Sequence, residues 1–378
     1  MWRYLLLGVL ALAARAEDFS RGQIIDDVKC AADASESYAL YLPSNYTPDR
    51  SWSVIFAFDP RGQGRAPLVQ YEAAAEEFGY IVAGSNNSRN GPWSVSLAAA
   101  QAMLADVTSR FSVDPKRMYA AGMSGGARVA MALALSMNQF AGVIPSSAGF
   151  PDNRPRTSLS FPVFGTAGTD DFNNLEMRRL DRVLTSPHRV VNFEGGHTWL
   201  PSDVAIEAVE WMEIQAMKSG RRSRDDALAA RIFEARKAKA IAQSNDRDVY
   251  AALTALATDF EGLRDVSEVA ARADGLAHEK SVQQALKNDR AEEQHEQQAI
   301  RELAEPAAQI DNPATRREAL EELASRLKKL SRQAKAQEDS SERQMARRVL
   351  WGFIVDNRPR PDPELQKILD EVRPAGRP

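Results

Sequence analysis

Between residues 23 and 217, short apolar runs alternate with stretches of helical spacing, and no other feature restricts the fold as strongly. Residues 54–58, Val-Ile-Phe-Ala-Phe, are apolar at every position. A strand wet on one face would alternate with polar residues, so this one is expected to be buried on both. Further strands are predicted at 38–42, 80–83, 118–121, 141–145, 161–165 and 189–193. Helices are predicted at 68–78, 97–111, 127–138 and 202–217, with another around 174–180. Strands and helices in alternation build βαβ units, hence a mostly parallel sheet flanked by helices.

Past Gly220 the texture changes at a basic junction, Arg221-Arg222-Ser223-Arg224. Beyond it glycine is rare, strand-like runs disappear, and residues 225–242, 249–260 and 316–337 have helical apolar spacing. Leu320, Leu323, Leu327 and Leu330 step by three and four, which draws one apolar stripe along a helix. The chain therefore divides into an α/β region at 17–220 and an all-helical region at 221–378, whose charged faces are expected to be solvated.

Residues 1–16 read as an export signal. Arg3 supplies the positive charge, residues 4–13 are an apolar run well short of the ~20 that span a bilayer, and Ala14-Arg15-Ala16 is a small-x-small cleavage site. A secreted or periplasmic location follows, with an uncleaved membrane anchor as the alternative. No later run is long enough to span a membrane. The formal net charge is -4 over 378 residues, without a basic stripe interleaved with aromatics, so nucleic acid is not an expected partner. The single cysteine, Cys30, cannot form an internal disulfide and reads as a buried thiol. Four histidines and one cysteine are too few for a structural zinc site, and no metal or cofactor is expected.

The chemistry-bearing signal is Gly122-Met123-Ser124-Gly125-Gly126, directly after the strand at 118–121 and directly before the helix starting near Ala127. So tight a turn has no room for side chains at its flanks, and glycines occupy them. Ser124 is expected in a strained conformation that lifts its hydroxyl above the sheet edge. The Gly125 N–H, at the positive end of the helix, faces the same space and can bind a developing oxyanion. A serine hydroxyl needs a base, and histidine titrates in the right range. His278 and His295 lie in the helical region, and His188 precedes the last strand. His197 follows that strand, on the edge where open α/β sheets place their sites. The base needs an orienting carboxylate from the loop after 161–165. Asp171 is preferred there, Asp170 is the alternative, and Asp152 comes third. The unused aspartate would cap the following helix. A second oxyanion N–H is expected from the loop 59–64. Pro60 has none to give, which leaves Arg61 or Gly62.

The first half resembles the secreted α/β-hydrolase esterases of the polyhydroxybutyrate-depolymerase and feruloyl-esterase-like group. The matching pieces are residues 38–43, 121–126, 164–173 and 195–199, and the resemblance spans about 36–217. It implies an α/β-hydrolase fold with Ser124, Asp171 and His197 as a catalytic triad. Many relatives carry a His-Gly pair where this chain has Asp59-Pro60.

Together these features predict hydrolysis of a carboxylic ester through an acyl-enzyme intermediate. A serine peptidase is the alternative enzyme. A non-catalytic hydrolase-like scaffold presenting the helical region to a partner is the alternative of another class. Residues 145–160 are too short and too rich in proline for a helical cap, so the site is expected to be shallow and open to bulky or polymeric esters. The helical region is expected to dock beside the α/β region or to bind a protein partner, supplying no catalytic residue.

Overall fold

The computed structural model of the chain describes residues 19–154 and 156–374, so the expected export signal at 1–16 lies outside the described residues. Eight strands form one sheet: β1 Ile24–Lys29, β2 Ser37–Tyr41, β3 Trp52–Phe58, β4 Tyr80–Ser85, β5 Val113–Met123, β6 Phe140–Ser146, β7 Val163–Gly168 and β8 His188–Phe193. Their spatial order is β1-β2-β4-β3-β5-β6-β7-β8. β2 is antiparallel to both β1 and β4, and the remaining pairings are parallel. Helices α1 Arg65–Phe78 and α5 Ser202–Lys218 cover one face. Helices α2 Trp93–Arg110, α3 Gly125–Ser136 and α4 Asn174–Val183 cover the other. This is the α/β-hydrolase fold.

β3 shows how the sequence produces the two layers. Val54, Phe56 and Phe58 enter the core shared with α2 and α3. Ile55 and Ala57 enter the opposite core, shared with α1 and α5. Successive side chains of a strand point to opposite faces, so an unbroken apolar run fills both. Each large side chain so buried contributes roughly 1.5–3 kcal/mol. β1, Ile-Ile-Asp-Asp-Val-Lys, has no counterpart in the sequence expectations. Two aspartates interrupt its alternation, and its register against β2 shifts between Ile25 and Val28. Such charges and bulges protect the edge of a sheet from further pairing.

After α5 the chain is helical: α6 Asp226–Ile241, α7 Asp246–Phe260, α8 Ser267–Ala277, α9 Lys280–Gln309, α10 Arg316–Ala334, α11 Ser341–Asn357 and α12 Pro363–Val372. Helices α6 to α8 pack around a core that includes Ile214 and Met217 of α5. Helices α9 to α12 build a second core from the stripe Leu320, Leu323, Leu327 and Leu330 together with Leu350 and Trp351. The expectation of solvated charged faces fails at the seam with the sheet. Glu293 and Glu296 of α9 are buried, paired with Arg182 and with Arg178 of α4. Asp259 of α7 is buried too, and accepts from Trp211 Nε1 at 2.7 Å and from Arg236 at 2.5 Å. Guanidinium and indole donors satisfy these buried carboxylates, which would otherwise be costly to hold inside. Among the described residues no helix is long and apolar enough to cross a membrane.

Glu210 on α5 carries a consequence for pH. Burial, reinforced by the nearby charge of Glu77, pushes its pKa from 4.5 up to about 7. A carboxyl with a higher pKa folded than unfolded binds its proton more tightly in the native state. Stability is therefore lost as pH climbs from 4.5 through about 7. Glu210→Gln should remove that loss, so its melting temperature should gain on the wild type between about pH 5 and about pH 8. A constant difference between the two proteins across that range would exclude it.

Candidate active site

Ser124 stands between β5 and α3 with φ 54° and ψ −119°. A non-glycine residue in such a conformation costs about 1–3 kcal/mol and persists only where its surroundings enforce it. Here the enforcement is steric. A Cβ on Gly122 would lie 2.1 Å from the Gly126 carbonyl oxygen, and one on Gly126 would lie 1.8 Å from that of Phe58. Only bare backbone can pass there, so α3 starts hard against the end of β3. Gly125 opens α3, where an N–H has no acceptor within the helix. The Asn90 side-chain oxygen lies 1.8 Å from where a Cβ on Gly125 would be, and the Asn90 N–H donates to the Pro60 carbonyl at 2.8 Å.

The loops after β7 and β8 leave the same edge of the sheet, because these strands are parallel neighbours. Backbone bonds join them: Thr169 N–H to Phe193 O at 2.9 Å and Asp170 N–H to Gly195 O at 2.8 Å. Across this junction His197 Nδ1 lies 2.8 Å from Asp171 Oδ1. A carboxylate only accepts, so in the neutral ring this contact places the proton on Nδ1 and leaves Nε2 as the acceptor. Asp171 is fully buried, and the same oxygen accepts from the Asn173 N–H at 2.8 Å. The Phe172 ring stacks on His197 with centroids 4.1 Å apart. Among the described residues no hydrogen bond joins Ser124 to His197.

The three candidate carboxylates go to three different partners. Asp171 meets His197, Asp170 forms an ion pair with Arg347 of α11 at 2.8 Å, and Asp152 pairs with Arg156 at 2.5 Å. Burial raises the pKa of Asp170, and Arg347 opposes that shift. Asp170 does not cap α4, whose N-cap is Asn173.

The loop after β3 departs from expectation. The Arg61 N–H donates to Asp59 Oδ1 at 2.8 Å, and the Gly62 N–H donates to the Asp59 carbonyl at 3.1 Å. Both predicted oxyanion donors are thus engaged by Asp59. The other Asp59 oxygen accepts from Trp199 Nε1 at 2.8 Å, which ties this loop to the one carrying His197. Asp59 is fully buried. Neither it nor Asn90 carries a motif that would single it out in the sequence.

The described residues of 145–160 form no helix, in keeping with their prolines. The site is nevertheless not bare, because α11 packs on the loop that holds Asp171. Arg348 Nη1 donates to the Thr169 carbonyl at 2.7 Å, and Phe172 packs against the core of α9 to α12. A cavity of about 590 Å³ opens beside Phe172, walled by Leu303, Val349 and Phe353. A larger depression of about 950 Å³, lined by Trp52, Asp114 and Arg221, lies at the opposite end of the strands and holds none of these groups.

No protein-family model matches this chain, and no curated protein matches it in sequence. Among solved structures it is similar to S-formylglutathione hydrolase (FrmB) from Staphylococcus aureus, with TM-score 0.40 and 15% identity over 50% of this chain and 97% of that one. Est1E from Butyrivibrio proteoclasticus gives TM-score 0.40 and 15% identity over 50% and 99%. Thermogutta terrifontis esterase 2, phosphorylated by paraoxon, gives 0.37 and 16% over 54% and 96%.

Replacing Trp199 with Phe would leave a buried Asp59 oxygen without its donor. Trp199→Phe should destabilise the fold by about 1–3 kcal/mol, read from the midpoint of denaturant unfolding. An unshifted midpoint would show that the indole bond contributes nothing.

Proposed function

We propose that this chain hydrolyses carboxylic esters by way of an acyl-enzyme. Ser124 attacks the ester carbonyl while His197 Nε2 takes its proton. Asp171 holds the imidazole in the tautomer that makes this transfer available. The Gly125 N–H stabilises the oxyanion, and the proton on His197 passes to the departing alcohol. Water then repeats the sequence in reverse, releasing the acid and freeing Ser124.

The observation that carries this reading is the pairing of a positive-φ serine at a strand-to-helix turn with a histidine bonded to a buried carboxylate on the same sheet edge. The second oxyanion donor is a side chain on this reading, because the Arg61 and Gly62 N–H groups are engaged. Asn90, whose Nδ2 lies 3.5 Å from where a Cβ on Gly125 would be, is a candidate.

A fluorophosphonate should label the wild type at Ser124, and Ser124→Ala should fold, resist labelling and lose roughly 10³-fold or more of kcat. Wild-type turnover in the Ser124→Ala variant would end the proposal. Parallel panels of short-chain esters and peptides separate an esterase from a peptidase. Asp171→Asn should cost far more activity than Asp170→Asn, since only Asp171 touches His197. The reverse order would move the orienting role to Asp170.

A further inference from the structure

Among the contacts by which the helical region reaches the site, one is made to the backbone of the loop that holds Asp171. Arg348 of α11 spends its fork on Glu296 of α9, with Nε to Oε1 at 2.9 Å and Nη2 to Oε2 at 2.7 Å. The planar guanidinium then aims its remaining nitrogen, Nη1, at the Thr169 carbonyl, 2.7 Å away. Thr169 lies two residues before Asp171, and the next N–H, that of Asp170, bonds to Gly195 in the loop of His197. Arg347 holds the Asp170 side chain from the same helix. Glu296 is buried and also receives Arg178 from α4, the helix that leaves the acid loop. The loop is therefore gripped at its start by Arg348 and at its exit through Arg178.

A buried ion pair is a weak device for stability, because desolvation of both charges offsets most of their attraction. It is an effective device for geometry, because each partner is fixed by the other's hydrogen-bonding directions. An acid and base must be held to within about 0.5 Å to work.

We infer that Arg348 is a positioning residue for the Asp171–His197 pair, so that the helical region forms part of the working site. It touches neither substrate nor the reacting atoms. It acts by fixing the Thr169 carbonyl and, through the Asp170–Gly195 bond, the separation of the acid and base loops.

The test uses the full-length chain and 4-nitrophenyl acetate. Arg348→Lys keeps the charge beside Glu296 but cannot span both Glu296 and Thr169. It should lower kcat about tenfold or more while KM stays within about twofold, and should slow fluorophosphonate labelling of Ser124 in parallel. Arg182→Met is the control. It breaks the neighbouring α4–α9 pair with Glu293 and makes no contact with the loop. It should lower the melting temperature and leave kcat unchanged. Unaltered kcat in Arg348→Lys overturns the inference. So does a loss of activity in both variants that tracks their loss of melting temperature. Should Arg348→Lys fail to accumulate folded, Glu296→Gln preserves the shape while weakening the fork, and the same fall in kcat at constant KM is required. The inference rests on the ester-hydrolase reading. A wild type that turns over no ester defeats that reading, whereas an active wild type with unaffected variants defeats the positioning role alone.

Discussion

The passage of α3 across the end of β3 is the constraint on which the rest of the site depends. Gly126 meets the Phe58 carbonyl at a distance that admits no side chain, and Gly122 meets Gly126. Those contacts fix where α3 begins and leave Ser124 no relaxed conformation. The strain is modest beside what opposes it. Ala127, Val129, Ala130 and Leu133 of α3 are all buried, and the helix cannot retreat without exposing them. A few kcal/mol at one residue is outweighed by a face worth several times as much. The serine is thus held out of its preferred region by the core beneath it.

The loops around the serine are held differently, by polar bonds between segments far apart in the chain. Loops at a sheet edge have no ladder to satisfy their backbone groups, and each must find a partner elsewhere. Here those partners are shared among the site loops. Asp59 gathers the amides of its own turn and receives the indole of Trp199. Thr169 and Asp170 exchange bonds with Phe193 and Gly195, and Arg348 reaches in from α11. Three loops and one remote helix form a single hydrogen-bonded rim, with His197 in its midst.

The sheet and its elbow were legible because their signals are local. The run 54–58 declares a strand buried on both faces, and glycines around Ser124 declare a tight turn. His197 could be singled out because only one histidine follows a strand on the correct edge. The choice between Asp170 and Asp171 was less open to reading. Adjacent residues share one local environment, and what separates them is Arg347, far along the chain. The same limit hid the burial of Glu293 and Glu296. Both lie in a polar stretch of α9, and the arginines of α4 and α11 that bury them are distant in sequence. The loop 59–64 departed from expectation for a related reason. A turn rich in glycine suggests free N–H groups, whereas the buried Asp59 claims that of Arg61 with its carboxylate and that of Gly62 with its carbonyl. β1 escaped notice because its aspartates suppress the alternation that betrays a strand.

The bond between Arg348 and Thr169 joins residues 179 positions apart. Contacts of such separation close late, after the shorter loops within each layer have formed. The rim is complete only when α9 and α11 have docked. Helix α11 thus acts as a clasp on the loop of Asp171, set only once α9 and α11 have docked.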